Sequence, residues 1–120
     1  MLQKFEIHGV HMTVDERLHK YVTKKIGGLD HYLSRHSRDS AHAEVYLKES
    51  AKKQIEHATC EVTLRLPHET IVIKEKALNM YAAVDIVEAK LKQQLKKYKD
   101  LHGSGKLHRK LMAKFRRQGS

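Results

Sequence analysis

Four stretches of the sequence alternate apolar and polar residues, and this period of two predicts β-strands. In the first, Phe5 and Ile7 face one way while Glu6 and His8 face the other. The four stretches span residues 4–11, 41–48, 57–66 and 70–77. Because one side of each alternation is apolar, we expect each strand to bury one face and to expose the other.

The first helical pattern follows the first strand. Its apolar residues recur at helical spacing at Val14, Leu18, Val22 and Ile26. The preceding Thr13-Val14-Asp15-Glu16 has the form of a capping box, in which the Thr hydroxyl and the Glu carboxylate each satisfy a free backbone amide. Glycines at 27 and 28 either end this helix or weaken it. Since leucines and a tyrosine continue the period as far as residue 33, we extend the helix past the glycines.

A second, longer helical pattern follows Asn79, which is a suitable N-cap residue. Its apolar stripe consists of Met80, Val84, Val87, Leu91, Leu95 and Tyr98. Gly103-Ser104-Gly105 then breaks the period. The order of elements predicts an α+β fold: a β-α-β-β-β-α sandwich in which two helices pack on one face of a four-stranded, mainly antiparallel sheet. We assign residues 1–102 to one domain and residues 103–120 to a basic C-terminal tail, which we expect to be flexible.

Charge narrows the possible functions. The chain of 120 residues has 24 Lys and Arg against 14 Asp and Glu, a formal net charge of +10. Such a charge favours a polyanionic partner. Six of the basic residues lie after residue 100, where no acidic residue occurs, so the first hundred residues carry 18 basic and 14 acidic side chains. Nucleic-acid binding therefore requires a basic face on the folded domain, because a basic tail alone is not sufficient.

Other features exclude whole classes of protein. No apolar run reaches the length of about 18 residues that a membrane-spanning helix needs, and the amino terminus lacks the apolar stretch of a secretory signal. The single cysteine, Cys60, cannot form an internal disulfide or a multi-thiolate zinc site. We therefore expect a cytoplasmic protein without membrane association.

The basic residues of both predicted helices fall on defined faces. On the first helix these residues are Arg17, Lys20, Lys24 and the flanking Lys25. On the second, Lys90, Gln94 and Lys97 share one side of the apolar stripe, and Lys92, Lys96 and Lys99 share the other. If the helices lie side by side, the sides that face each other form a positively charged groove. The alternative is that these lysines only solvate exposed helix faces.

Two basic helices and an acid-free tail together favour nucleic-acid binding over simple solvation. The sequence contains no helix-turn-helix pattern and no Cys/His finger, and its strands are poor in the aromatic residues on which bases stack. Recognition by backbone charge and shape is therefore expected, and this favours structured RNA.

The sequence offers little support for a metal site or an enzyme. His57 and Cys60 have the spacing of many ligand pairs, but residues three apart on a strand point to opposite faces. We assign no metal and no cofactor, and we expect Cys60 to be a buried core residue. Asp85 and Glu88 are surrounded by lysines and are expected to form local ion pairs. Since no glycine-rich phosphate loop or nucleophile elbow occurs, no enzyme is predicted.

Several segments together resemble a known family. The segment Asn79–Asp85, continued by Lys90-Leu91, Gln94-Leu95 and Tyr98-Lys99, resembles the second-helix signature of the ribosome hibernation-promoting factors. Ala58–Leu64 is similar to the third strand of that family, and Val14–Leu33 to its first helix. The resemblance covers about residues 1–100. Asn79 departs from the acidic residue that the family usually has there, and the glycines at 27 and 28 interrupt a stretch that is usually a good helix former.

The resemblance implies a stress-linked factor that binds ribosomal RNA of the small subunit, in the channel for messenger and transfer RNA. It would inhibit translation by occlusion and preserve idle ribosomes. Longer members add a C-terminal domain, so the chain is expected to be a short form. The family's RNA contacts carry over to Lys20, Lys24, Lys25, Lys90, Gln94, Lys97 and Lys99.

The expected partners are therefore the small ribosomal subunit with its RNA and the whole ribosome. No membrane and no small-molecule substrate is expected, and the free protein is expected to be a monomer. The alternative is a general structured-RNA-binding protein or RNA chaperone without ribosome preference. A metal-dependent nuclease is less favoured, because the carboxylate cluster that it needs is missing.

Overall fold

The computed structural model describes residues 2–52 and 55–102, so the predicted tail at 103–120 lies outside the described residues. The strands are β1 (Lys4–Val10), β2 (His42–Lys52), β3 (Ile55–Arg65) and β4 (Thr70–Ala77). The helices are α1 (Glu16–Val22), α2 (Arg35–Ser40) and α3 (Met80–His102). The described part of the chain thus has the predicted order of elements with one helix added.

The four strands form one mixed sheet in the order β1-β2-β3-β4. The pairings of β2 with β3 and of β3 with β4 are antiparallel, as predicted. The pairing of β1 with β2 is parallel, with Ile7 opposite Val45. A parallel neighbour needs a crossover connection, and the helical residues between β1 and β2 supply it.

One face of the sheet carries the hydrophobic core. Val45, Val62 and Cys60 are fully buried on this face, as the alternation predicts. All six residues of the predicted α3 stripe are also buried, and α3 packs on β3 and β4. Burial raises the pKa of the Cys60 thiol to about 12, so the thiol stays protonated and unreactive at neutral pH. Its prediction as a core residue is confirmed.

The predicted capping box at the start of the first helix is wrong. The N-cap is Asp15, whose carboxylate accepts a hydrogen bond from the Leu18 amide at 2.7 Å. The preceding loop turns sharply, because His11 has a positive φ of 57°. The loop backbone also passes very close to Gly9, where an added Cβ would lie 2.3 Å from the Met12 carbonyl oxygen. This turn delays the helix by two residues.

The first helix changes its winding instead of ending at the glycines. A π-helical turn over Thr23–Gly27 and a 3-10 helix over Gly28–Tyr32 continue α1. The extension past the glycines is therefore confirmed as far as Tyr32. Leu33 has an extended backbone, but it is buried together with Leu29.

The prediction of two helices is wrong, because α2 follows this segment as a third. Ser34 caps α2 by accepting a hydrogen bond from the Ser37 amide at 3.3 Å. With six residues, α2 is too short to show a helical period in the sequence.

We expect Gly9→Ala to destabilise the domain by about 1–3 kcal/mol, because the new methyl group would press on backbone that cannot move easily. Gly28→Ala is the matched control. A Cβ added at Gly28 would meet no atom within 4 Å apart from its chain neighbours and the backbone of its own helix. Because the backbone there is helical, a gain of about 0.4–1 kcal/mol is expected. Urea unfolding of both variants measures the difference, and equal stabilities would contradict the close approach at Gly9.

Candidate nucleic-acid interface

The first helical segment, residues 16–32, and α3 lie side by side and run in the same direction. Near their starts the rings of Tyr21 and Tyr81 meet edge to face, with centroids 4.9 Å apart. Near their ends, the ammonium groups of Lys92 and Lys96 lie 5.7 and 5.9 Å from the centre of the Tyr32 ring. These contacts define a seam between the two helices.

The start of the seam holds a network of compensated charges. Tyr21 donates a hydrogen bond to the Asp85 carboxylate. The Lys25 ammonium lies 3.8 Å from carboxylate oxygens of both Asp85 and Glu88, and 5.6 Å from the centre of the Tyr21 ring. The two carboxylates form ion pairs as predicted, but their partner is Lys25 of the first helical segment and not a neighbouring lysine of α3. With both engaged in this way, they tie the helices together and do not form a free acid/base pair.

The other end of the seam is positively charged. Lys92 and Lys96 are exposed, and the ammonium group of each makes a cation–π contact with the ring of Tyr32. Lys99 is exposed as well and follows them at i+7 and i+3 on the same side of α3. We call Lys92, Lys96 and Lys99 the inner shoulder of α3.

The other predicted residues of α3 lie on the opposite side of the helix. Lys90 forms an ion pair with Glu75 of β4. Gln94 and Lys97 are exposed and follow it at i+4 and i+7. We call Lys90, Gln94 and Lys97 the outer shoulder. The structure therefore does not bring these three residues into the seam with the lysines of the first helix; Lys99 alone of the predicted α3 residues faces that way.

The lysines of the first helix differ in how far their charge is compensated. Lys20 pairs with Glu16 one turn earlier at 3.0 Å, and both side chains are exposed. Lys25 is about two-thirds buried and holds the two carboxylates of the seam. Lys24 is exposed and has no ion pair within residues 2–52 and 55–102. The exposed pair of Lys20 with Glu16 contributes little to stability, so Lys20 can readily exchange Glu16 for a phosphate. Lys25, in contrast, is held by two carboxylates of α3.

Sequence reasoning placed Lys92 and Lys96 on a basic side of the helix but left them out of the predicted site. Contacts with the first helical segment, including those of both lysines with Tyr32, show that this side of α3 faces it. The helical pair thus presents ammonium groups on both shoulders of α3, and the first helical segment adds the exposed Lys24. Such a surface can bind a phosphate backbone through many separate contacts. None of the helices in the described residues is long and apolar enough to cross a membrane.

The fold, with a helix pair on a four-stranded sheet, is shared by solved structures. The Protein Y N-terminal domain of Thermus thermophilus matches with a TM-score of 0.60 at 22% identity, over 78% of this chain and 94% of that one. A ribosomal subunit interface protein from Coxiella burnetii matches with a TM-score of 0.64 at 22% identity, over 81% and 98% of the two chains. At this identity the likeness shows the fold.

Sequence comparison defines the family. The family model described as Sigma 54 modulation protein / S30EA ribosomal protein matches residues 5–102, and the chain belongs to this family. The ribosome hibernation promotion factor of Staphylococcus aureus (strain COL) is 32% identical over 96 residues. That match covers 80% of this chain and 48% of the relative, so the chain spans about half the length of this relative. The resemblance drawn from the sequence is confirmed.

We expect Tyr21→Phe to destabilise the domain by about 1 kcal/mol, because it removes a hydrogen bond to a charged acceptor. That hydrogen bond, followed by burial, raises the pKa of Tyr21 from 10.0 to about 12. The phenol must be protonated to donate, so the contribution is complete below pH 10 and is lost as the pH rises toward 12.

A double-mutant cycle with Asp85→Ala, followed by urea unfolding at pH 7, measures this link. The loss from Tyr21→Phe should shrink strongly once Asp85 is gone. Fully additive losses would show that Tyr21 and Asp85 are not coupled.

Proposed function

We propose that this protein is a ribosome hibernation factor. In this proposal it binds RNA of the small ribosomal subunit in the channel for messenger and transfer RNA, and it inhibits translation by occupying that channel. It acts in the cytoplasm, where ribosomes are, and by occupancy instead of catalysis. Family membership and the name of the 32% identical relative support the link to hibernating ribosomes.

The observation that carries the proposal is the arrangement of charge on α3. Its apolar stripe is buried on the sheet, so its lysines stand on two shoulders of one exposed ridge. Lys92, Lys96, Lys97 and Lys99 have no ion pair with another described residue, so their charge is available to phosphates. A rigid, two-sided basic ridge suits folded RNA, which offers phosphates on both walls of a cleft.

The residues proposed to contact RNA are those predicted from the sequence together with the inner shoulder. Lys24 and Lys99 are predicted from the family resemblance, and both are exposed on neighbouring helices. Lys25 is proposed to act mainly through the seam, since it holds Asp85 and Glu88. The ribosome-binding domain of residues 1–102 stays a prediction, and residues 103–120 are assigned no role in binding.

The experiment is co-sedimentation of the purified protein with small subunits and with whole ribosomes, with excess transfer RNA as competitor. We expect saturable binding of about one protein per subunit that survives the competitor. If about six phosphates are neutralised, affinity should fall with about the fifth power of the salt concentration. Loss of binding to the competitor would instead identify a general RNA-binding protein, and a salt-insensitive complex would contradict the role of charge.

Matched charge reversals locate the binding face in the same assay. Lys97→Glu with Lys99→Glu changes one charge on each shoulder of α3, and we expect affinity to fall by about tenfold or more. Lys74→Glu with Lys76→Glu is the control, because these two exposed residues lie on β4, on the side away from the core. It makes the same change in net charge. Equal losses in the two pairs, with folding checked by circular dichroism, would mean that net charge alone drives binding.

A further inference from the structure

The sheet face opposite the core carries a cluster of carboxylate and imidazole groups. Glu6 of β1 and Glu44 of β2 are directly paired in the parallel register. His42 precedes Glu44 by two residues on β2 and so points to the same face. All three side chains are anchored on adjacent strands, whose backbone hydrogen bonds hold their relative positions.

We propose that Glu6, His42 and Glu44 form a binding site for a divalent transition-metal cation of the zinc class. Nε2 of His42 lies 3.3 Å from Oε2 of Glu6 and 3.8 Å from Oε1 of Glu44. One ligand atom from each of the three residues lies within 4.8 Å of the others. In a tetrahedral zinc site with bonds of about 2.0–2.1 Å, neighbouring ligand atoms are about 3.3 Å apart. Small side-chain rotations therefore suffice to bring the three atoms onto one cation.

The surroundings of Glu44 both support and oppose a cation. Tyr46 donates a hydrogen bond to Oε2 of Glu44 and orients the carboxylate, as outer-shell partners of metal ligands do. Arg65 donates to Oε1 of the same carboxylate, which is the oxygen nearest to His42. The Arg65 side chain is 52% exposed, so it can swing into solvent when a cation arrives. Arg65 therefore competes with the metal for Glu44.

The donor set favours zinc over the harder cations. Imidazole is a common ligand of zinc and its transition-metal neighbours, whereas magnesium prefers an octahedral shell of oxygens. Three protein ligands leave a fourth position for water or for His8, whose Nε2 lies 3.8 Å from Oε2 of Glu6. The His8 ring is stacked on Tyr46, with centroids 5.2 Å apart, so His8 would have to leave this stack in order to bind the cation.

A simpler arrangement gives the same distances. A protonated His42 would form ion pairs with Glu6 and Glu44 without any metal. The two arrangements predict different effects on zinc affinity when the guanidinium of Arg65 is removed. Arg65→Gln should strengthen binding of a cation, whereas an ion-paired cluster without a metal site gains no affinity for zinc.

The test is a calorimetric titration of the untagged full chain with zinc chloride, in a buffer that does not chelate zinc. We expect one saturable site at micromolar zinc. His42→Ala should weaken it by about tenfold or more, and Arg65→Gln should strengthen it severalfold. His36→Ala is the matched control, since His36 is an exposed histidine of α2, and it should leave the affinity unchanged.

Three results would overturn the assignment: no saturable site in the parent chain, equal effects of His42→Ala and His36→Ala, or no gain from Arg65→Gln. Competition by an equal concentration of magnesium would overturn the zinc class. Circular dichroism checks that each variant folds, and Glu6→Gln is a second, milder removal of a ligand. The site lies across the sheet from the helices, so these outcomes are independent of ribosome binding.

Discussion

Burial of the apolar stripe of α3 against the sheet is the constraint on which the basic surface depends. Val84, Val87 and Leu91 are at most 1% exposed, so the rotation of this helix about its axis is fixed by the core. Once that rotation is fixed, helical periodicity decides where every other side chain of α3 points. Hydrophobic packing of the helix therefore decides on which of the two shoulders each lysine stands.

The contacts of the seam fix the position of the first helical segment relative to α3. Asp85 accepts from Tyr21 and lies near Lys25, so the first helical segment is held beside α3 at a defined distance. Asp85 and Glu88 thus have a structural use: they pair with the largely buried Lys25 of the first helical segment and not with the exposed lysines of α3. A net charge of +10 would be a poor guide to function without this division.

Long, regular periods explain what could be predicted from the sequence. The sequence predicts the strands from their alternation and α3 from its apolar stripe. Both patterns extend over many residues, and both mark which side chains are buried. The Asn79 cap is confirmed too, since its side-chain oxygen accepts a hydrogen bond from the Ala82 amide at 2.9 Å. Short-range geometry was harder to predict: the turn at His11 moves the first N-cap to Asp15.

Contacts between distant segments could not be predicted from periodicity. Which shoulder of α3 faces the first helix depends on packing, so Lys92 and Lys96 were left out of the predicted site. Likewise, Glu6 and His42 are 36 residues apart and become neighbours only because β1 pairs in parallel with β2. A search for ligand pairs at short spacing misses such a cluster.

The most direct measurement of the central claim is lysine protection in the ribosome complex. Brief reductive methylation of the free protein and of the ribosome-bound protein, read by mass spectrometry, reports which ammonium groups become covered. We expect protection of Lys24, Lys96, Lys97 and Lys99, while Lys74 and Lys76 on the far side of the sheet remain reactive. Protection of Lys74 and Lys76 with unprotected helix lysines would contradict it.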